Sequence, residues 1–435
     1  MDLAEVRLWG RTIGAVSQAP DAGYATFQYD AGFALSDIEI APLTMPLARH
    51  PYAFPQLARR SFNGLPGLLA DSLPDYFGNA LINAWLARQG RKPKDFSPID
   101  RLCYVGTRGT GALEFKPSTG PRPTQARNLE VQALVDLASR ILNQRGDLSL
   151  SFASGTERDV LTELLLVGTS AGGARAKALI AWNPDTNEVR SGQINAGSGF
   201  EYWILKFDGV SRHRDEEFTD PLGYGAIEYA YSLMAREAGI TMSECRLFEE
   251  NGRRHFMTRR FDRTPEGKKL HMLSLGAISH LDFNAAGAHG YEQALHTIRR
   301  LGLSMDAVEE QFRRMVFNIT ARNQDDHVKN IAFLMDKRGG WSLSPAFDVT
   351  YAYNPSGDWT TSHQMTVNGK RDGFTRADLE AVARGMSMKR GRAAAIHEEV
   401  QAAVSRWIDF AERAGVEQDR AERIQKALRI ELPKE

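Results

Sequence analysis

Asp325, Asn330 and Asp348 are the residues of this chain whose types and spacing carry the clearest chemistry. They stand in the stretch 323–351, NQDDHVKNIAFLMDKRGGWSLSPAFDVTY. Two short apolar runs, 331–335 and 341–347, are joined by Lys337-Arg338-Gly339-Gly340, and a glycine pair between such runs predicts a β-hairpin. Asn330 and Asp348 then flank the hairpin's base, where an amide and a carboxylate offer hard oxygen ligands to magnesium. An Asp to orient an attacking hydroxyl, an Asn five residues on and a second Asp for the metal are what phosphoryl transfer requires.

The step from Asp325 to Asn330 matches the D-x-x-x-x-N spacing of a protein-kinase catalytic loop, and the order D-x-H-x-x-N is similar to that of phosphoinositide-type kinases. Such a pair alone arises by chance, and a polar loop capping a hairpin accounts for it equally well. Loop, hairpin and second Asp together are more specific. A second stretch, 166–182 (LVGTSAGGARAKALIAW), sets two apolar runs around a turn of small residues, Ser170, Ala171, Gly172 and Gly173 among them. Backbone N–H groups there could close on a phosphate, although neither a Walker A loop nor a dinucleotide fingerprint is present and a tight hairpin of small residues is the alternative. The run 201–207, EYWILKF, reads as a strand with Tyr202, Ile204 and Lys206 on one face. A lysine so placed calls for an anion, unless it snorkels from a strand end. The helix expected over 224–238 carries Glu228 beside its apolar stripe, where it could hold Lys206 or simply be an ordinary acidic residue of a first turn.

The supporting elements follow from composition and periodicity. The chain has 435 residues, enough for two or three domains with well-buried cores. Its 54 basic and 54 acidic side chains cancel, so no global field draws it to nucleic acid or an anionic membrane. Cys103 and Cys245 are isolated, which argues against a zinc site or a disulfide framework and fits a reducing cytoplasm. Neither a signal pattern nor an apolar run of spanning length is seen, so the expectation is a soluble protein.

In chain order, alternation over 5–16 and 24–30 predicts small antiparallel strands. A helical stretch follows with Asp75 as N-cap and Gly90 as its stop. PSTGPRPTQAR, 117–127, reads as a linker. Helices are expected near 129–143 and 156–165, and a charged loop over 211–220. Strands 245–249 and 254–260 should turn at Asn251-Gly252, and MTRRFDR then connects to a helical half with runs at 291–302, 304–322, 376–385, 393–414 and 417–431. The expected class is α+β, with a β-rich part followed by a helical part.

GLLADSLPDYFGN, TSAGGARAK, the Lys206 strand, RRFDR, NQDDHVKN and PAFDV occur in one order over nearly the whole chain. In this the sequence resembles the HipA family of bacterial serine/threonine kinases, the toxins of HipA/HipB-type toxin–antitoxin pairs. The resemblance implies a bilobal, protein-kinase-like fold: an extra N-terminal α+β subdomain (1–120), an N-lobe with the phosphate-binding loop (121–262) and a helical C-lobe (263–435). It implies ATP and Mg2+ as cofactors, Asp325 as catalytic aspartate, Asn330 and Asp348 as metal ligands, and Lys206 on the ATP phosphates. His327 would brace the loop, Lys329 would neutralise the transferring phosphate, and Ser170 would be autophosphorylated and so shut the enzyme down. Arg259 and Phe261 would lie at the adenine hinge, where an arginine replaces the acidic residue of the family's best-known member. A helix-turn-helix HipB-like antitoxin is the implied partner, with DNA bound mainly through it. The implied substrate is an aminoacyl-tRNA synthetase, most typically the glutamyl enzyme. Lys389, Arg390 and Arg392 form a basic cluster that could touch DNA phosphates or simply be solvated.

Two other classes stand beside this one. A kinase fold with little catalysis, kept to hold an antitoxin on DNA, would have no need of Asp325, Asn330, Asp348 and Lys206 together. A metal-dependent phosphohydrolase using Asp325, Asp326 and His327 would need further ligands, yet His280, His289 and His363 are scattered without a ligand pattern.

Overall fold

A computed structural model describes residues 2–19, 21–121, 128–143, 155–168, 175–193, 196–210, 222–264 and 266–435. The chain divides into two compact units, 1–40 with 45–222 and 246–272, and 41–44 with 223–245 and 273–435.

The first unit carries two antiparallel sheets. Alternating residues give β1 (Leu3–Leu8) and β2 (Arg11–Ser17), and Trp9 and Gly10 between them adopt the positive φ a tight turn demands. With β3 (Thr26–Tyr29), β4 (Tyr52–Ala53) and β5 (Leu113–Lys116) they form a sheet ordered β4-β3-β2-β1-β5. The second sheet is ordered β7-β6-β8-β10-β9, from β6 (Lys177–Trp182), β7 (Val189–Ser191), β8 (Glu201–Lys206), β9 (Cys245–Glu250) and β10 (Arg253–Arg259). Asn251 and Gly252 take φ of 48° and 75°, which makes the expected turn between β9 and β10. One face of this sheet, with Ala178, Ile180, Trp203, Leu205 and Met257, packs on the helices Tyr76–Arg88, Val131–Asn143 and Gly155–Gly168 in a single apolar core.

The helix at 76–88 is capped as expected, since the Asp75 carboxylate accepts the Gly78 N–H at 2.9 Å. Of the linker expected at 117–127, residues 122–127 lie outside the described residues, and the chain on both sides of it belongs to the first unit. β1 pairs with β5, and Asp262 accepts the Gly111 N–H at 2.8 Å while pairing with Arg260 and Arg263 at 2.9 and 2.6 Å. The apolar run before the small-residue loop is also different from expectation. Leu164, Leu165 and Val167 end a helix buried in the core, so the segment passes from helix to strand instead of forming a hairpin.

Burial in this unit has a measurable consequence. Exclusion of water from the His255 ring lowers its pKa to about 4 from the ordinary 6.5, and its Nδ1 is committed as acceptor of the Asp208 N–H at 2.9 Å. Burial likewise takes His271 to about 4, with its Nε2–H donating to the Ile40 carbonyl at 2.9 Å. Both rings fold neutral, so their share of stability is intact above pH 6.5 and is lost as pH falls toward 4, where the unfolded chain binds protons the native one refuses. Each ring should withdraw about 2–3 kcal/mol over that window. Denaturant melts at pH 7 and pH 4.5 should show this loss, and His255→Gln should reduce it; equal slopes in the two proteins would refute the assignment.

The second unit is mainly helical. Tyr224–Glu237 packs on Trp407–Ala414 and Arg392–Val404, and the latter packs on Met305–Thr320. The run expected as one helix over 393–414 is two, broken at Ser405 and Arg406, where the chain turns to bury Trp407 with its indole donating to the Ala421 carbonyl at 2.9 Å. Ala332–Met335 and Trp341–Leu343 pair antiparallel as the expected hairpin. Asp336 closes its turn by accepting the N–H groups of Arg338 and Gly340 at 2.8 and 3.0 Å. Among the described residues no helix is long and apolar enough to cross a membrane.

Candidate active site

The first unit contributes a lysine-bearing strand face. With Trp203 and Leu205 in the core, alternation puts Tyr202, Ile204 and Lys206 on the opposite face of β8. Lys206 faces Lys177 of β6 on one side and Phe256 of β10 on the other, its Nζ lying 5.6 Å from the Phe256 ring centre. The two lysines are 9% and 3% exposed. Like charges opposite each other repel, and burial worsens the cost, so two such lysines call for nearby negative charge. Asp75, at the N-cap of the helix it starts, stands 3.9 Å from Lys177 Nζ. Lys177 sits inside the TSAGGARAK segment, but only the β6–β8 register reveals it as the partner of Lys206. Ser170, Ala171, Gly172 and Gly173 lie outside the described residues.

At the expected hinge, Arg259 is half-exposed at the end of β10 and pairs with Glu201 at 3.4 Å. Phe261 follows, partly buried. Arg260 is a fold residue, since its guanidinium is enclosed and bonded to Asp262 and to the Gly192 carbonyl. Glu228 is 1% exposed on Tyr224–Glu237, in the second unit, so a pair with Lys206 is not a feature of either unit alone.

The second unit contributes the acidic loop. Asn330 donates its Nδ2–H to the Asp325 carbonyl at 2.8 Å, and its backbone N–H closes a turn on His327 at 2.9 Å. The first bond fixes the amide, so Oδ1 is the atom left to offer a cation. Asp348 follows the second ribbon strand with φ of 56°, a conformation costly for a residue with a Cβ. Asn330, Asp348, His327 and Asp326 line one cavity of about 20 Å³, together with Gln311, Arg314, Asn318 and Asn323. Buried polar atoms here, His327 Nδ1, Asn323 Oδ1 and Gln311 Oε1, have no hydrogen-bond partner among the described residues. An amide and a carboxylate on such a polar cavity fit magnesium, which takes one or two protein oxygens and completes its shell with phosphate and water. Among the described residues no three His, Cys, Asp or Glu side chains gather as a metal-binding group.

Asp325 and Asp326, adjacent in sequence, have opposite environments. The Asp325 side chain is 45% exposed, with Oδ1 accepting the Trp359 indole N–H at 2.6 Å and lying 3.9 Å from His327 Nε2. Asp326 is 3% exposed and accepts from the Tyr291 hydroxyl at 2.8 Å, His363 Nδ1 at 2.7 Å and the Gln364 N–H at 2.8 Å. One carboxylate is presented and the other is spent on the fold. Lys329 Nζ lies 4.8 Å from the Phe283 ring centre, and that ring stands 5.8 Å from His327. Sequence spacing did not identify Trp359, Tyr291 or His363 as neighbours of this loop. In the basic cluster, Arg392 pairs with Glu309 at 2.7 Å and Glu399 at 3.2 Å, and Lys389 and Arg390 are the exposed members.

Comparison with known proteins accords with this architecture. The family described as HipA N-terminal domain matches residues 4–116, and the HipA-like C-terminal domain matches residues 169–408. The HipA of Shewanella oneidensis MR-1, solved with HipB and operator DNA, is similar in fold, with a TM-score of 0.67 and 16% identity over 97% of this chain and 94% of that one. A curated relative from Sinorhizobium fredii, named "Putative kinase Y4dM", is 30% identical over 138 residues, 28% of this chain and 32% of its own length. The chain thus spans about a third of that relative. Both matched domains and the α+β fold agree with the likeness seen in the motifs, and the chain belongs to the HipA family.

Proposed function

We propose that the chain is a Mg-ATP-dependent serine/threonine protein kinase and the toxin of a type II toxin–antitoxin pair. The observation that carries this reading is the cavity shared by Asn330 and Asp348, with Asn330 tied to the backbone of Asp325. Lys206 and Lys177 take the nucleotide phosphates, and Arg259 and Phe261 form the adenine hinge. Asn330 and Asp348 hold magnesium, which when bound neutralises charge on the transferring phosphoryl group. Asp325 orients a serine or threonine hydroxyl and accepts its proton as the hydroxyl oxygen bonds to the γ-phosphorus. The bridging P–O bond breaks, and ADP leaves with the electron pair. His327 braces the loop, and Lys329 offers positive charge to the phosphoryl oxygens.

The substrate proposed is an aminoacyl-tRNA synthetase, the glutamyl enzyme first, and the outcome is arrest of translation and growth. Ser170 is proposed as the site of self-inactivation, a dianion there repelling an anionic nucleotide. The Shewanella HipA was solved with HipB and operator DNA, which supports a HipB-like antitoxin as partner and DNA contact through that complex. The test is incubation with Mg-ATP and a panel of purified synthetases, with phosphosites mapped by mass spectrometry. Magnesium-dependent phosphate on a synthetase serine, and self-label lost in Ser170→Ala, are expected. A wild-type chain that labels neither a synthetase nor itself would overturn the reading.

A further inference from the structure

The segment 359–364, WTTSHQ, lies against the loop 324–326 and is laced to it from both sides. Gln324 donates its side-chain N–H to the Thr360 carbonyl at 2.9 Å, and Gln364 returns one to the Gln324 carbonyl at 3.3 Å. Trp359 reaches Asp325, and His363 with the Gln364 N–H reaches Asp326. The far side of the His363 ring is also engaged, since Nε2 stands 3.1 Å from Arg429 Nη1, and Arg429 pairs with Asp372. An arginine can only donate, so Nε2 accepts and the proton sits on Nδ1, directed at Asp326. The backbone of His363 is clamped as well, by the Arg371 carbonyl at 3.1 Å and the Arg371 guanidinium at 2.7 Å.

We propose that residues 359–364 are a strap that positions the catalytic aspartate, with Trp359 fixing Asp325 and the His363–Asp326 bond, locked by Arg429, fixing the backbone beneath it. The inference rests on the kinase reading for its catalytic part only. An indole is a donor with no acceptor, so it cannot take the hydroxyl proton. It holds Oδ1 and leaves Oδ2 to meet the substrate. A half-exposed carboxylate without that bond would sample other rotamers, and a misplacement of about 1 Å costs about 100-fold in rate. Asp326 serves as the loop's buried anchor, because a carboxylate with three donors is expensive to shift. Trp359, Asp326 and His363 are therefore positioning residues, acting through Asp325.

Three variants of the full-length chain test this. Trp359→Phe keeps the ring and removes the donor, so kcat should fall about 10–100-fold while KM for ATP stays within about twofold. His363→Ala should speed amide hydrogen exchange across 324–330 by about 10-fold or more beyond the uniform speeding that lowered global stability gives the other amides. His363→Asn, whose Nδ2 can stand in for the ring Nδ1–H, should restore most of that protection. Undiminished kcat in Trp359→Phe overturns the catalytic half. Wild-type exchange in His363→Ala, or no rescue by His363→Asn, overturns the anchoring half. A wild-type chain that transfers no phosphate defeats the kinase reading instead, and the exchange arm still judges the strap.

Discussion

Asp325→Gln is expected to lower phosphoryl transfer by about 10²–10⁴-fold, the range lost with a general base, while nucleotide affinity and thermal melting stay near wild type. The local geometry makes this a clean substitution. The side chain is half-exposed, so glutamine's added length meets no core, and an amide oxygen can still accept the Trp359 indole N–H. An amide cannot accept the hydroxyl proton at neutral pH. Single-turnover transfer, with calorimetric ATP binding beside it, separates the two effects. Undiminished transfer would reassign the base, whereas lost ATP binding would make Asp325 a binding residue. Asp326→Asn should behave differently: its partners are three donors, so an introduced NH2 leaves at least one of them opposed and the protein melts lower.

Lys206→Met and Lys177→Met should each weaken ATP binding about 10–100-fold, the worth of a charge-assisted bond to phosphate. The companion stability measurement discriminates. The two lysines are register partners across β6 and β8 at 3% and 9% exposure, so removing either relieves like-charge repulsion, and melting is expected to change less than ATP affinity does. A structural role would give the reverse, lowered melting with unchanged ATP affinity. Lys177→Met also leaves Asp75 without the cation 3.9 Å away, so its melting should be the lower of the two.

The ribbon and the two residues that flank it, Asn330 and Asp348, were legible because they depend on local rules. A glycine pair sets the turn, alternation sets the strands, and the residues at the base must then lie close. The Asp75 cap and the Asn251-Gly252 turn were legible for the same reason. The lysine pair was half legible. Period two assigned the face of Lys206, but only strand order could bring Lys177 opposite it. The strap was not legible at all, because His363 and Trp359 lie 37 and 34 positions from the aspartates they bond, and nothing in periodicity encodes such a contact. The helix expected over 156–165 runs on to Gly168, and its last turn coincides with the first apolar run before the small-residue loop, since short apolar runs fit either period. The break before Trp407 is invisible to periodicity because both sides of it keep helical spacing, and only the burial of the indole turns the chain.

The central claim is that Asn330 and Asp348 bind a divalent ion together with the nucleotide. Its most direct measurement is the affinity for Mn2+, followed by electron paramagnetic resonance, in the presence and absence of a non-hydrolysable ATP analogue. Wild-type chain should bind Mn2+ tightly only with the analogue, and the Asn330→Ala, Asp348→Asn double variant should lose at least about 10-fold of that affinity while keeping its fold. Wild-type Mn2+ affinity in the double variant would contradict the account.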